Sequence, residues 1–205
     1  FAKAFQIVSE MPNMKYLQIF SHIITCLVEG EFMQMEDVYR IDQGIERYMT
    51  KTQKKTADFM EGCMELGGLL GGWSESEIVE LKKYGHALGM AFQITDDIMD
   101  YRETTETTGK PVGNDLREGL LTYPLLSIVN DDNKDKLLVD IKALNNGGDE
   151  QAIIDYVIAQ GGIDNTLAVA DQYCKDALAA IDSVRDFPGK EFLVMAVENL
   201  ADRKV

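Results

Sequence analysis

The sequence predicts an all-α protein, one helical bundle over residues 1–205, and three observations carry that expectation. Apolar residues recur at three- and four-residue spacing along several stretches. Alternating apolar and polar runs bounded by hairpin turns do not occur. The breaks between periodic stretches are short and rich in Gly, Pro and Asn, as in connections between helices that lie against each other. No internal repeat or composition shift marks a domain boundary.

Taken in order, the chain opens on Phe1-Ala2-Lys3-Ala4-Phe5, which is helical in character but has no capping residue before it, so a helix entered partway is expected. Met11-Pro12-Asn13 ends that segment. Phe59, Met60, Cys63, Met64, Leu66, Gly67 and Leu70 form a helical stripe closed by Gly71-Gly72. Gly109-Lys110-Pro111 is the next break. Asp131-Asp132-x-x-Asp135 follows Asn130 in a surface turn and reads as a helix start, since acids favour the first turn. Asn145-Asn146-Gly147-Gly148 and Gly161-Gly162 flank the stripe Ile153, Ile154, Val157 and Ile158. Two more stripes follow: Leu167, Ala170, Cys174, Ala177, Leu178, Ile181 and Val184, then Phe192, Ala196, Val197 and Leu200 after Pro188.

Charge excludes some functions. Lys and Arg number 20 against 35 Asp and Glu, a formal net charge of -15. A non-specific nucleic-acid binder, which draws its affinity from cationic contacts to phosphates, is therefore not expected. Electrostatic attachment to anionic lipid is disfavoured for the same reason. No stretch approaches the roughly 18 consecutive apolar residues of a membrane span. Cys26, Cys63 and Cys174 lack disulfide or zinc spacing and read as buried thiols of a reducing, cytoplasmic compartment.

The stretch that carries chemistry is Phe92-Gln93-Ile94-Thr95-Asp96-Asp97-Ile98-Met99-Asp100. Asp96 and Asp100 are four apart and Asp97 and Asp100 three apart, so a helix places the carboxylates on one face with Gln93, Gly89 and Gly85. The glycines would let a neighbouring helix approach closely. Such a cluster is either a solvated acidic face or a site for a divalent cation, and oxygen-only ligands suit Mg²⁺. Two features favour the second reading. Lys110 in a glycine-rich loop could reach back to a phosphate, and Lys55-Thr56 sets a lysine beside a hydroxyl near the start of a helix. Together they would form a diphosphate cradle against the global negative charge.

Phe92-Gln93-x-x-Asp96-Asp97-x-x-Asp100, followed by Gly109-Lys110-Pro111-x-Gly113-x-Asp115-Leu116-x-Glu118-Gly119-x-x-Thr122-Tyr123-Pro124-Leu125, resembles the second aspartate-rich region of the trans-isoprenyl diphosphate synthases. Tyr48 followed by Lys55-Thr56-Ala57 and the glycine at Gly67 is similar to that family's Lys-Thr helix; Lys51-Thr52 competes, but its distance to Gly67 does not fit. Glu29-Gly30-Glu31-x-x-Gln34 resembles the version found in members that make longer chains. The resemblance implies the all-α isoprenoid synthase fold, here lacking its N-terminal helices. It also implies a Mg²⁺-dependent prenyltransferase joining isopentenyl diphosphate to an allylic prenyl diphosphate with release of pyrophosphate.

The roles it implies are direct Mg²⁺ ligation by Asp96 and Asp100, with Asp97 as a ligand or acting through metal-bound water. Lys55 and Lys110 would grip the allylic diphosphate. Thr56, Phe92 and Gln93 would assist, and Asp115 would support the metal ligands from behind. A homodimer is implied as well, and His22 and His86, outside the motifs, are expected to be structural. The family's first aspartate-rich motif has no match in this sequence, so roughly the upstream third of the pattern is absent. The alternative reading is a non-catalytic or partner-dependent subunit of a heteromeric synthase, although such a subunit would be expected to have lost Asp96, Asp97 and Asp100. A terpene cyclase would share the fold, but the Lys110 loop and Lys55-Thr56 resemble synthases.

Overall fold

The structure is a computed structural model and describes residues 2–102 and 113–202. Every regular element among the described residues is helical. Helix α1 (Ala2–Ser9) buries none of its residues, and α2 (Met14–Glu36) begins where the Asn13 side chain accepts from the Lys15 N–H at 2.9 Å. Helix α3 (Gly44–Thr52) runs without a break through a π-helical turn (Gln53–Ala57) into α4 (Asp58–Leu70). The 28-residue α5 (Glu75–Arg102) starts with a reciprocal cap. Ser74 Oγ accepts from the Glu77 N–H at 3.4 Å while Glu77 Oε2 accepts from the Ser74 N–H at 3.1 Å.

Beyond it come two short helices, α6 (Asn114–Glu118) and α7 (Tyr123–Leu126), then α8 (Lys134–Ala143), α9 (Glu150–Ala159), α10 (Gly162–Asp182) and α11 (Lys190–Asp202). The Asp131–Asp135 stretch divides between the turn before α8 and that helix's first residues, with Asp131 paired to Lys134 at 2.7 Å.

Helix α5 is the axis of the molecule. It packs along α4 on one side and α10 on another, and α11 closes against α10. Toward its C-terminal half, Ile94, Ile98 and Tyr101 join Leu116, Leu125, Ile141 and Val157 in one core region. Toward its N-terminal half, Leu81, Tyr84 and Ala87 meet Ala177, Ile181 and Val197 in a second. Each fully buried large aliphatic chain stabilises by about 1.5–3 kcal/mol, so the C-terminal half of α5, which carries the acidic stretch, is anchored from several sides.

The expected close approach at the glycines is present. A Cβ on Gly89 would lie 2.6 Å from Ala57 Cα, and one on Gly85 would lie 2.7 Å from Met60 O. Helix α5 thus meets the π turn and α4 nearly backbone to backbone.

The stripe on α4 corrects the reading of its periodicity. Phe59 and Leu70 are exposed, as is Cys63, and the buried positions are Gly62 and Gly68. A helix pressed this close to α2 and α5 seats its smallest residues at the contacts and leaves the large ones beside them. On α11, Val197 and Leu200 are buried but Phe192 is exposed; on α9, Ile158 is exposed while Ile153, Ile154 and Val157 are buried. Lys55-Thr56 lies inside the π turn of a continuous helical run, where a helix start was expected. No helix among the described residues is long and apolar enough to cross a membrane.

Candidate active site

A cleft of about 280 Å³ lies between the α3–π segment, the C-terminal half of α5 and the stretch from α6 to α7. Lys51, Thr52, Lys55 and Thr56 form one wall; Gln93, Asp96 and Asp97 form the second; Asp115 and residues 120–122 form the third. Of the residues singled out in the sequence, the structure therefore brings Lys55, Thr56, Gln93, Asp96, Asp97 and Asp115 to one place. Phe92 is 40% exposed and does not line this cleft. Lys110 lies outside the described residues.

Gln93 links the two sides. Thr56 Oγ1 donates to Gln93 Oε1 at 3.1 Å, and Gln93 Nε2 donates to Asp97 Oδ1 at 3.2 Å. The second Asp97 oxygen accepts from Tyr48 Oη at 2.5 Å and from the Tyr123 N–H at 3.3 Å. Asp97 is buried, and burial pushes its carboxyl up to about 6, against the three hydrogen bonds that draw it down.

The acids leave α5 in different directions. Asp96 is exposed and makes no hydrogen bond among the described residues, whereas Asp100 is turned toward α6. There its oxygens accept from the Asn114 N–H at 3.0 Å and the Asp115 N–H at 3.1 Å. Gly113, at φ 74°, makes the left-handed turn that aims those two N–H groups. Burial raises the Asp100 pKa from its ordinary value despite these bonds. Asp115 is pushed up to about 7, first by burial and then by Asp100, Asp97 and Asp96.

Burial and neighbouring carboxylates thus raise Asp97, Asp100 and Asp115, an arrangement a hard divalent cation would relieve. Their donor set is all oxygen and fits such an ion. Asp96, with its oxygens uncommitted among the described residues, and Asp100, with lone pairs beyond its two N–H partners, are the residues able to hold it. Asp97 has both oxygens occupied and is better placed to orient Gln93. A separate group, Asp58, Glu61 and His86, brings ligand atoms within 4.8 Å of one another. It is not part of this cleft, and Lys82 at 3.3 Å already compensates Glu61.

Lys55 is held by the Glu29–Gln34 stretch of α2. Its ammonium donates to Gln34 Oε1 at 3.0 Å and pairs with Glu31 Oε1 at 2.9 Å. A Cβ on Gly30 would lie 2.7 Å from Lys55 N, so that stretch is the bed on which the π turn rests. Gln34, the Tyr48 hydroxyl and the Tyr123 N–H have no role that residue patterns alone assign, and the spacing to Gly67 disfavours Lys51-Thr52. Lys51 and Thr52 are nonetheless buried in the cleft wall. Their spacing of four from Lys55 and Thr56 is the available signal.

The family model described as Polyprenyl synthetase matches residues 1–160. The heptaprenyl diphosphate synthase component 2 of Geobacillus stearothermophilus is 32% identical over 184 residues, covering 90% of this chain and 58% of that protein. The octaprenyl diphosphate synthase of Escherichia coli (strain K12) is 31% identical over 197 residues, covering 95% and 61%. This chain thus spans about three fifths of the length of the curated relatives it matches.

Among solved structures, a decaprenyl diphosphate synthase from Rhodobacter capsulatus superposes with a TM-score of 0.90 at 27% identity, over 100% of this chain and 64% of that one. A polyprenyl synthase from Caulobacter crescentus, complexed with calcium and isoprenyl diphosphate, gives 0.86 at 29% identity, over 100% and 64%.

Proposed function

Because the chain belongs to the polyprenyl synthetase family, we propose that it is the diphosphate-binding part of a trans-polyprenyl diphosphate synthase. The reaction joins isopentenyl diphosphate to an allylic prenyl diphosphate. The allylic C–O bond breaks and pyrophosphate leaves with the bonding pair. The isopentenyl double bond attacks the allylic carbon, and loss of a proton restores a double bond. The observation that carries the reading is the Thr56–Gln93–Asp97 chain, which ties the lysine wall of the cleft to its carboxylate wall.

In this reading Asp96 and Asp100 hold Mg²⁺, which when bound neutralises the carboxylates and the charge developing on the departing pyrophosphate. Lys55 grips the diphosphate, together with Lys110, which lies outside the described residues. Thr56 and Gln93 fix where it sits. Asp97 holds Gln93, and Tyr48 holds Asp97. Asp115 donates its backbone N–H to Asp100 and faces the cleft with its side chain. Phe92 belongs to the same motif but lies outside this cleft. The calcium and isoprenyl diphosphate complexed with the Caulobacter crescentus synthase support a metal–diphosphate site in this fold.

The functional assembly is proposed as a homodimer, supported by Val28, Phe32 and Met35, which stay exposed along α2. The name "component 2" of the Geobacillus stearothermophilus relative supports the alternative of a subunit that needs a partner. The test is prenyl transfer with Mg²⁺ by the full-length protein purified alone. Asp96→Ala and Lys110→Ala should each lower turnover by about 10²-fold or more with unchanged circular dichroism. Near-normal turnover in either variant refutes that residue's assignment. Inactivity that is relieved only by a second subunit selects the partner-dependent form.

A further inference from the structure

Of the two lysines described in the cleft, Lys51 has the longer contacts, its ammonium also lying 5.8 Å from the Tyr48 ring centroid. Its side chain is nine-tenths buried, at 10% relative exposure, where an ammonium requires partners for its three N–H donors. Among the described residues it makes one hydrogen bond, to Gln43 Oε1 at a long 3.3 Å. Its carboxylate neighbour, Asp37 Oδ2, lies 3.9 Å away, too far for a hydrogen bond. Asp37 is already engaged through its other oxygen by Arg47 at 2.6 Å and Arg40 at 3.6 Å. Lys55, one turn on, has by contrast two close partners, Glu31 at 2.9 Å and Gln34 at 3.0 Å. Burial also lowers the Lys51 pKa, although the Asp37 and Asp97 carboxylates draw it upward.

The Lys51 side chain lines the same cleft as Lys55 and Thr56. An underpaired ammonium in that wall is complementary to an oxyanion entering the cleft. We propose that Lys51 is a diphosphate-binding residue, a cation additional to Lys55 that contacts the phosphate oxygens. The proposal rests on the reading of the cleft as a diphosphate site. It assigns Lys51 a ligand contact, and Gln43 and Asp37 the task of holding the ammonium until the anion arrives.

The experiment is calorimetric titration of the full-length protein with inorganic pyrophosphate in the presence of Mg²⁺. Lys51→Met should weaken binding by at least about tenfold, as expected for a lost charge-assisted contact, and Lys51→Arg should recover part of it. Asp37→Asn, which removes the competing carboxylate, should leave binding equal or tighter. A purely structural Lys51–Asp37 pair would instead make Lys51→Met and Asp37→Asn weaken binding alike, and that result overturns the proposal. Should Lys51→Met not fold, Asp37→Asn decides: a tenfold loss there overturns the proposal and unchanged or tighter binding upholds it. Lys55→Met separates the two levels. If it loses pyrophosphate while Lys51→Met does not, only the Lys51 contact is refuted; if neither loses it, the diphosphate reading of the cleft fails too.

Discussion

Replacing Gly89 by alanine tests the packing that assembles the cleft. The added Cβ would lie 2.6 Å from Ala57 Cα and 3.2 Å from both Ala57 N and Cβ. The obstacle is mostly backbone, which cannot rotate aside, so α5 and the π turn must separate. Overpacking of this kind costs about 2–3 kcal/mol, and the better helix propensity of alanine returns about 1 kcal/mol. A net loss of about 1–2 kcal/mol corresponds to a thermal midpoint lower by roughly 2–8 °C in a chain of this size. The separation also stretches the 3.1 Å bond between Thr56 and Gln93, so turnover should fall further than stability alone explains. Gly67→Ala is the control: nothing lies within 4 Å of its added Cβ, so only the propensity gain remains. Its midpoint should rise by roughly 2–4 °C. Calorimetric scans and prenyl-transfer assays on the full-length variants measure both effects. A Gly89→Ala midpoint at or above that of the parent protein would refute the close approach of α5 to Ala57.

Three further outcomes are expected. Tyr48→Phe removes a hydrogen bond to the buried Asp97 carboxylate and should cost about 1.5–3 kcal/mol in denaturant unfolding; a loss below about 0.5 kcal/mol would count against that bond. Asp97 and Asp115 titrate at about 6 and about 7 when folded, above the ordinary 3.8, so the metal-free folded state keeps protons that the unfolded chain has released. The stability this gives is complete below about pH 4 and is lost as pH rises through 6 to 7. Mg²⁺ competes with those protons and should raise the thermal midpoint more at pH 8 than at pH 6; equal shifts would contradict the account. Ser74→Ala removes the reciprocal cap at the start of α5 and should lower stability by about 1 kcal/mol, read as a midpoint shift, with KM for both substrates unchanged.

The all-α architecture is legible in the sequence because its signal is periodic and repeated over many turns. The spacing of Gly85, Gly89 and Gln93 likewise indicates where α5 meets a neighbour. What stays hidden depends on three-dimensional direction. Asp96, Asp97 and Asp100 share a face by spacing, yet one side chain is exposed, one is buried and one caps α6. A backbone donor such as the Tyr123 N–H has no signature in residue identity at all. Counting residues to Gly67 disfavours Lys51, whose burial follows from the fold of α3 against the stretch around Leu121, which a local pattern does not contain. The apolar stripe on α4 misleads for a related reason: where helices touch through glycine, hydrophobicity marks the flanks of the contact.

The π turn at Gln53–Ala57 has a consequence for how this chain can vary. A π turn closes its hydrogen bonds one residue later than an α turn, so it acts as a single-residue insertion absorbed within a continuous helix. Everything after it is rotated relative to everything before it. Lys51 and Lys55, four apart, would share a face on any helix; what the offset sets is the rotation of α4 relative to that lysine wall, and with it the fit of Ala57 against Gly89. Side chains on the outer surface of this run can be exchanged singly without disturbing the register. Its length cannot: deleting one residue between Tyr48 and Gly62 would restore a regular α-helix and turn the lysine wall away from the carboxylates. The segment is therefore tolerant of spelling and intolerant of counting, the reverse of what an ordinary surface loop allows.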